Sequence, residues 1–317
     1  MKLKEIVEIC YGKNQKQVEV EKSDIPILGT GGIIGYSSKP LYDKESVLIG
    51  RKGTIGMPFY VNKPFWTIDT LFYTKINTNI VIPKFLYYLL CTIGLSRYSE
   101  GAAIPSLTTK TLYEIDLKVP NKDIQQHIVN TIGTIDDLIE NYQNKVETLK
   151  DNGLKFYKYK TSKNSIETKV NSLNIKYGIS LPDSKRSTGE IPLYASNGLS
   201  DYISISNAQN AIVFGCRGTL GNVFYQSGNL FVLNTAFYIN NPSNYGNLYY
   251  SLVANKGLTL YQSGAAQPQI TIDAIKDAVL TVPSDNDLNH VLDLLSNYEN
   301  VIVKLKKVKQ LLLAKFF

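Results

Sequence analysis

IPILGTGGIIGY, at residues 25–36, returns as IPLYASNGLSDY at residues 191–202. A long block repeated in order decides an architecture before any single motif is weighed. Working outward, VLIGRKGTIG from Val47 returns as IVFGCRGTLG from Ile212, and DTLFY from Asp69 returns as NTAFY from Asn234. SEGAAIPSLT from Ser99 returns as QSGAAQPQIT from Gln262, and Val119-Pro120 as Val282-Pro283. The 317 residues are thus two near-copies, and the length suffices for two separate cores.

Each copy reads as an α/β region followed by a long helix. Residues 47–50, 67–76, 211–215 and 230–239 are β-branched and aromatic runs bounded by Gly, Asn or Pro, a strand signature. PKFLYYLLCTIGLSRY from Pro83 and GNLYYSLVANKGLTLY from Gly246 have helical spacing, which places Tyr87, Tyr88, Tyr249 and Tyr250 in the cores. Ile128, Ile132, Ile135, Ile139, Tyr142, Val146 and Leu149 step by alternating fours and threes, a heptad seam. Val291, Leu295, Tyr298, Ile302, Leu305, Lys309 and Leu312 repeat those steps with one charge, Lys309. The first helix is expected over about 122–152, stopped at Gly153. Two seams in one chain predict an antiparallel coiled coil; packing of each helix on its own domain or on a neighbouring chain is the alternative. The expected fold is α+β: recognition-type domains at 1–121 and 161–284, and helices at 122–160 and 285–317.

The net charge is +7 and unevenly spread. Residues 149–176 hold seven Lys and two acids, and 304–317 hold five Lys and no acid. Such clusters suit either a phosphate backbone or the C-terminal end of a helix dipole. Cys10, Cys91 and Cys216 follow no metal-ligand spacing and are expected as reduced thiols in a cytoplasmic chain. The start MKLKEIVEIC has no apolar leader, and no run suits a membrane span. GTGGIIG from Gly29 is followed by Ser37, Ser38, Lys39 and Pro40 where a nucleotide-binding helix would open, and GRKGTIG from Gly50 lacks the Lys-Ser/Thr ending of a phosphate loop. His127 and His290 are repeat equivalents rather than a catalytic pair. No catalytic role, metal or cofactor is expected.

What remains is shared glycines with divergent polar decoration. Gly50, Gly53 and Gly56 match Gly215, Gly218 and Gly221, and Lys52 and Arg217 are equivalent cations between the first two of each set. A cation on a tight turn suits a phosphate or a guanine edge, with a solvated surface turn as the alternative. Thr30-Gly31 stands against Ser196-Asn197, Ile104 and Ser106 against Gln267 and Gln269, and Asp69 against Asn234. Asn and Gln can bond adenine bidentately, so such changes would alter a sequence being read. The candidate DNA-binding set is Thr30, Gly31, Tyr36, Arg51, Lys52, Ser106, Ser196, Asn197, Tyr202, Arg217, Gln267 and Gln269.

The doubled order of GxG-like turns, an A-A-x-P-x-L/I-T segment, a V-P pair and a helix beginning near DIQQHIV resembles the specificity subunit of type I restriction-modification enzymes. The resemblance covers nearly the whole chain. It implies a non-catalytic subunit whose two target recognition domains each read half of a bipartite double-stranded DNA site. It also implies that the helices space the halves and dock methyltransferase subunits, two of them, with restriction subunits joining through the complex. A partner combining cleavage and methylation is the neighbouring reading, and a two-domain scaffold that oligomerises through its heptads without DNA is the alternative. The second helix departs from the family pattern, beginning DLNHVL where a Glu/Gln-rich start is usual.

Overall fold

The computed structural model describes residues 1–317 except 53, 54, 101–104 and 265. Gly53 and Ile104 therefore lie outside the described residues. The chain divides into unit 1, Met1–Leu138 with Leu305–Phe317, and unit 2, Ile139–Lys304. The divisions fall inside the long helices, because each helix supplies both cores. Ile128, Ile132 and Leu313 are buried in unit 1, and Tyr157, Leu292 and Leu295 in unit 2.

Unit 1 holds β1 (Val7–Tyr11), β2 (Glu19–Val20), β3 (Pro26–Gly29), β4 (Gly32–Ser37), β5 (Ser46–Gly50), β6 (Phe59–Val61), β7 (Trp66–Thr67) and β8 (Leu71–Ile76). It also holds α1 (Pro83–Thr92), α2 (Thr109–Tyr113) and the first part of α3 (Lys122–Lys163). The strands form two sheets, β1-β8-β5-β6 and β2-β4-β3-β7. One face of β5 and β8 puts Val47, Ile49 and Phe72 against Phe85 and Tyr88 of α1, all fully buried. Each large side chain removed from water here contributes roughly 1.5–3 kcal/mol.

Unit 2 holds β9 (Ser165–Lys169), β10 (Lys176–Tyr177), β11 (Thr188–Ala195), β12 (Gly198–Ile203), β13 (Ala208–Gly215), β14 (Val223–Val232) and β15 (Ala236–Asn240). After these come α4 (Tyr245–Ala254), α5 (Ile272–Ile275), β16 (Val279–Pro283) and α6 (Leu288–Phe316), which ends in unit 1. The order β10-β15-β13-β14-β11-β12 makes one six-stranded sheet, and β16 pairs with β9. The same parallel pair occurs in each unit: Ile27 faces Trp66 across β3 and β7, and Leu193 faces Phe231 across β11 and β14.

Three expectations are corrected. Residues 67–76 and 230–239 are not single strands. Leu71 N donates to Ile68 O at 3.0 Å and Ala236 N to Leu233 O at 3.0 Å, so the chain turns there and passes to a different strand neighbour. Gly153 does not stop α3, which runs on to Lys163. A Cβ at Gly153 would lie 2.0 Å from Tyr250 Oη, so this glycine serves close approach to a buried ring rather than termination.

Lys309, the charge in the second seam, is accommodated in unit 1. Its Nζ lies 2.6 Å from Asp136 Oδ1, and Tyr88 Oη donates to Asp136 Oδ2 at 2.6 Å. The ammonium also sits 5.5 Å from the Tyr88 ring centroid. Burial together with the bond to Asp136 pushes the Tyr88 hydroxyl well above its ordinary value, so it remains a donor. Nearby, burial pushes the Cys91 thiol up to about 11. In the same unit the His127 ring lies 6.1 Å from Phe316, and in unit 2 Tyr142 lies 5.3 Å from Tyr298 and Lys160 2.6 Å from Asp287. Within each unit, then, positions fall towards α6's start as they rise along α3.

The unusual start of α6 has a structural equivalent. Gln125 Oε1 accepts from Ile82 N at 2.8 Å and its Nε2 donates to Ile80 O at 3.0 Å, satisfying backbone at the start of α1. Asn289 Oδ1 accepts from Gly246 N at 2.8 Å and its Nδ2 donates to Ser243 O at 3.1 Å, doing the same for α4.

Candidate nucleic-acid interface

In each unit the cation and its bridge partner lie where β5 or β13 ends. Arg51 N and Lys52 N both approach Thr70 O, at 2.8 and 3.4 Å, as Cys216 N and Arg217 N approach Thr235 O, at 2.9 and 3.1 Å. On the other side, Leu107 N donates to Arg51 O at 3.0 Å and Ile270 N to Cys216 O at 2.8 Å. These bonds pin the backbone at residues 51–52 and 216–217 on both sides, so each cation stands on a fixed platform. They also create matching antiparallel bridges, Lys52 with Ser106 and Arg217 with Gln269.

A second pair of bridges extends the platform: Glu100 with Ser106 and Ser263 with Gln269. Lys52, Arg217, Gln267 and Gln269 are exposed, and Ser106 is half-buried. Glu100 turns its carboxylate to Thr111 Oγ1 and, at 3.4 Å, Thr108 Oγ1 at the start of α2.

The repeated block that opens each copy is a hairpin, β3–β4 and β11–β12, with Thr30-Gly31 and Ser196-Asn197 at the tips. At Gly32 and Gly198 φ is +114° and +106°, values that suit glycine and permit the tight reversal. Gly31 and Asn197 are exposed, and a Cβ at Gly31 would meet nothing within 4 Å. In unit 2 the tip is tied to the turn: Ser196 N donates to Thr235 Oγ1 at 3.2 Å, and Ser196 Cβ lies 3.3 Å from where a Gly215 Cβ would stand. Ser196 is thereby buried and supports the tip, leaving Asn197 as its outward side chain.

Not every candidate joins this cluster. Tyr36 pairs with Pro26 and Tyr202 with Pro192, at the opposite end of each hairpin from its tip. Of the lysine-rich segments, Lys150 is paired with Glu299, Lys160 with Asp285 and Asp287, and Lys309 with Asp136, so part of their charge is spent within the protein. Tyr11 was absent from the candidates and belongs with them. Its ring, half exposed, lies beneath the Arg51 guanidinium at 5.2 Å and meets Phe72 edge-on at 5.0 Å. Only the pairing of β1 with β8 brings Tyr11 to Arg51, and no local pattern announces it.

The model of the type I restriction modification DNA specificity domain matches residues 1–151 and again 155–313. The chain belongs to this family. Its two matches coincide with the two copies of the sequence, and the family is one of non-catalytic specificity domains. Among curated relatives, the type I restriction enzyme MjaIX specificity subunit of Methanocaldococcus jannaschii is 30% identical over 122 residues, 37% of this chain and 28% of that protein. The type I restriction enzyme EcoprrI specificity subunit of Escherichia coli is 28% identical over 114 residues, 36% of this chain and 28% of that protein. These alignments span little more than a quarter of either relative. The crystal structure of the type-I restriction-modification system S subunit from M. genitalium shares the fold, with a TM-score of 0.64 at 18% identity over 100% of this chain and 95% of that one. Among the described residues, no helix of the specificity domains is long and apolar enough to cross a membrane, and no cluster suits a metal ion.

Proposed function

We propose that each unit reads one half of a bipartite, asymmetric double-stranded DNA site, as the specificity component of a cytoplasmic type I restriction-modification complex. The observation that carries this reading is one platform with two decorations: Lys52 across from Ser106, and Arg217 across from Gln269. A cation on a pinned backbone can bond phosphate oxygens or guanine O6 and N7, while Gln can bond adenine N6 and N7. Thr30 and Gly31 in unit 1, and Asn197 and Gln267 in unit 2, form the remainder of each reading surface, with buried Ser196 supporting its tip and Tyr36 and Tyr202 at the far ends of the hairpins. Different side chains on one backbone give two different half-sites.

In this reading α3 and α6 form an antiparallel coiled coil that sets the spacer and docks two methyltransferase subunits, with restriction subunits joining through the complex. Support comes from the partner positions within each unit and from the Lys309–Asp136 pair, since a single polar pair in an apolar seam can specify register. The test is to exchange residues 1–120 for the same region of a relative and to map methylated sites in cells that supply the methyltransferase. One half-site should change and the other persist. Rewriting of both halves, or a continuous palindromic site, would contradict the reading.

A further inference from the structure

The two platforms differ most at the residue preceding the shared cation. Unit 1 has Arg51, and unit 2 has Cys216, buried and with its Sγ 3.7 Å from Asn234 O. Arg51 is held in three ways. Its backbone is pinned through Thr70 and Leu107, its Nη1 donates to Asp69 O at 3.3 Å, and its guanidinium lies 5.2 Å over the Tyr11 ring. That ring is fixed in turn by the facing of Tyr11 and Phe72 across β1 and β8. The Nε–Nη2 edge of the fork has no partner among the described residues.

The equivalent tyrosine in unit 2 is used otherwise. Tyr177 faces Phe237 across β10 and β15, as Tyr11 faces Phe72, with the rings 4.8 Å apart. Its hydroxyl accepts from Ile272 N at 3.2 Å, and among the described residues no arginine lies over its ring. Stacking an arginine on a ring is thus particular to unit 1 and not required by the shared fold.

Resting on the DNA-reading proposal above, we propose that Arg51 reads a guanine edge in the half-site of unit 1, with Tyr11 as the positioning residue that orients its guanidinium. A phosphate contact is tolerant of direction, and exposed Lys52 beside it already suits that role. Bidentate bonding to guanine O6 and N7 demands a planar fork at a set angle. A stacked, carbonyl-bonded guanidinium supplies that angle before binding, which lowers the ordering cost at the moment of contact.

The experiment is selection from a randomised duplex DNA library by the full-length chain, comparing wild type with Arg51→Ala, Arg51→Lys, Tyr11→Ala and Tyr11→Phe. Wild type should enrich a two-part motif containing a guanine that Arg51→Ala and Arg51→Lys make degenerate, lowering preference at that position by roughly 5- to 150-fold. Tyr11→Ala should weaken the same position and Tyr11→Phe should retain it, because the ring and not the hydroxyl carries the contact. Retention of the other positions of unit 1's own half-site shows that each variant is folded in that unit. Equal weakening of all sequences by Arg51→Ala, with a shallower salt slope, would make Arg51 a phosphate contact and overturn the inference, as would a Tyr11→Ala motif unchanged from wild type. A wild-type motif that Arg51→Ala leaves intact sinks this inference alone; a wild-type chain that enriches no sequence sinks the DNA-reading proposal with it.

Discussion

Unit 1 and unit 2 hold the residues that follow β5 and β13 with the same main-chain bonds and then furnish them differently. In both, the strand-end backbone is pinned by a threonine carbonyl on one side and by the amide of a buried Leu or Ile on the other. Those bonds use only main-chain atoms, so the exposed side chains at 52, 217 and 269 are released from structural duty, while Cys216 is buried in the core of unit 2. The cores diverge as well. Tyr88 of unit 1 bonds a carboxylate on α3, whereas the residue at its place in the second copy, Ser251, bonds a backbone carbonyl, that of Thr281, at 2.8 Å. A fold held by backbone and apolar burial tolerates such substitution, and repetition followed by divergence exploits it.

The glycines of α3 offer the largest break in the likeness. Gly153 lies against Tyr250 with no room for a methyl, while a Cβ at Gly133 would lie 3.9 Å from Tyr88 Oη, in ordinary contact. Gly153→Ala should destabilise by about 3 kcal/mol through overpacking. Gly133→Ala should instead stabilise by about 0.5–1 kcal/mol by restricting the unfolded chain. Urea denaturation of the two variants, read by circular dichroism, checks both the sizes and the opposite signs.

The carboxylates on the helices give the next contrast. Asp136, 23% exposed, serves Lys309 and Tyr88, whereas Glu299, 39% exposed, serves Lys150. Asp136→Asn should cost about 2 kcal/mol, since a charge-assisted network is lost at a half-buried site. Glu299→Gln should cost less than about 1 kcal/mol because water screens the pair. Equal losses would remove the distinction between the two ends of the seam.

The platform cations give the smallest expected effect. Lys52→Ala and Arg217→Ala should each leave the thermal midpoint unchanged, as both side chains are exposed. Each should lower the slope of log affinity against log salt by about 1 if it meets phosphate, or cost about 1 kcal/mol of discrimination at one base if it meets guanine. Duplex-binding titrations over a salt series, with matched and mismatched half-sites, separate the two outcomes residue by residue.

Much of this molecule is legible along the chain. The repeat announces two similar units, the heptads announce long helices, and the shared glycines with changed neighbours point to the platform. These signals are local: periodicity comes from one face of one element, and a turn glycine from its own φ. Where two elements meet, local reading fails. Gly153 reads as a helix stop, yet the approach of α4 makes it an interior close contact. Lys309 reads as a fault in a seam, and only Asp136, Tyr87 and Tyr88 around it make a charge tolerable there.

By itself, then, the sequence determined the doubling, the strand and helix content of each copy and the positions at which the copies differ, because those depend on spacing within a segment. The tertiary structure alone decided that Lys52 stands across from Ser106, that Arg217 stands across from Gln269, and that Tyr11 lies beneath Arg51. Such neighbours are forty or more residues apart, and only strand pairing with the burial of the strands' apolar faces brings them together.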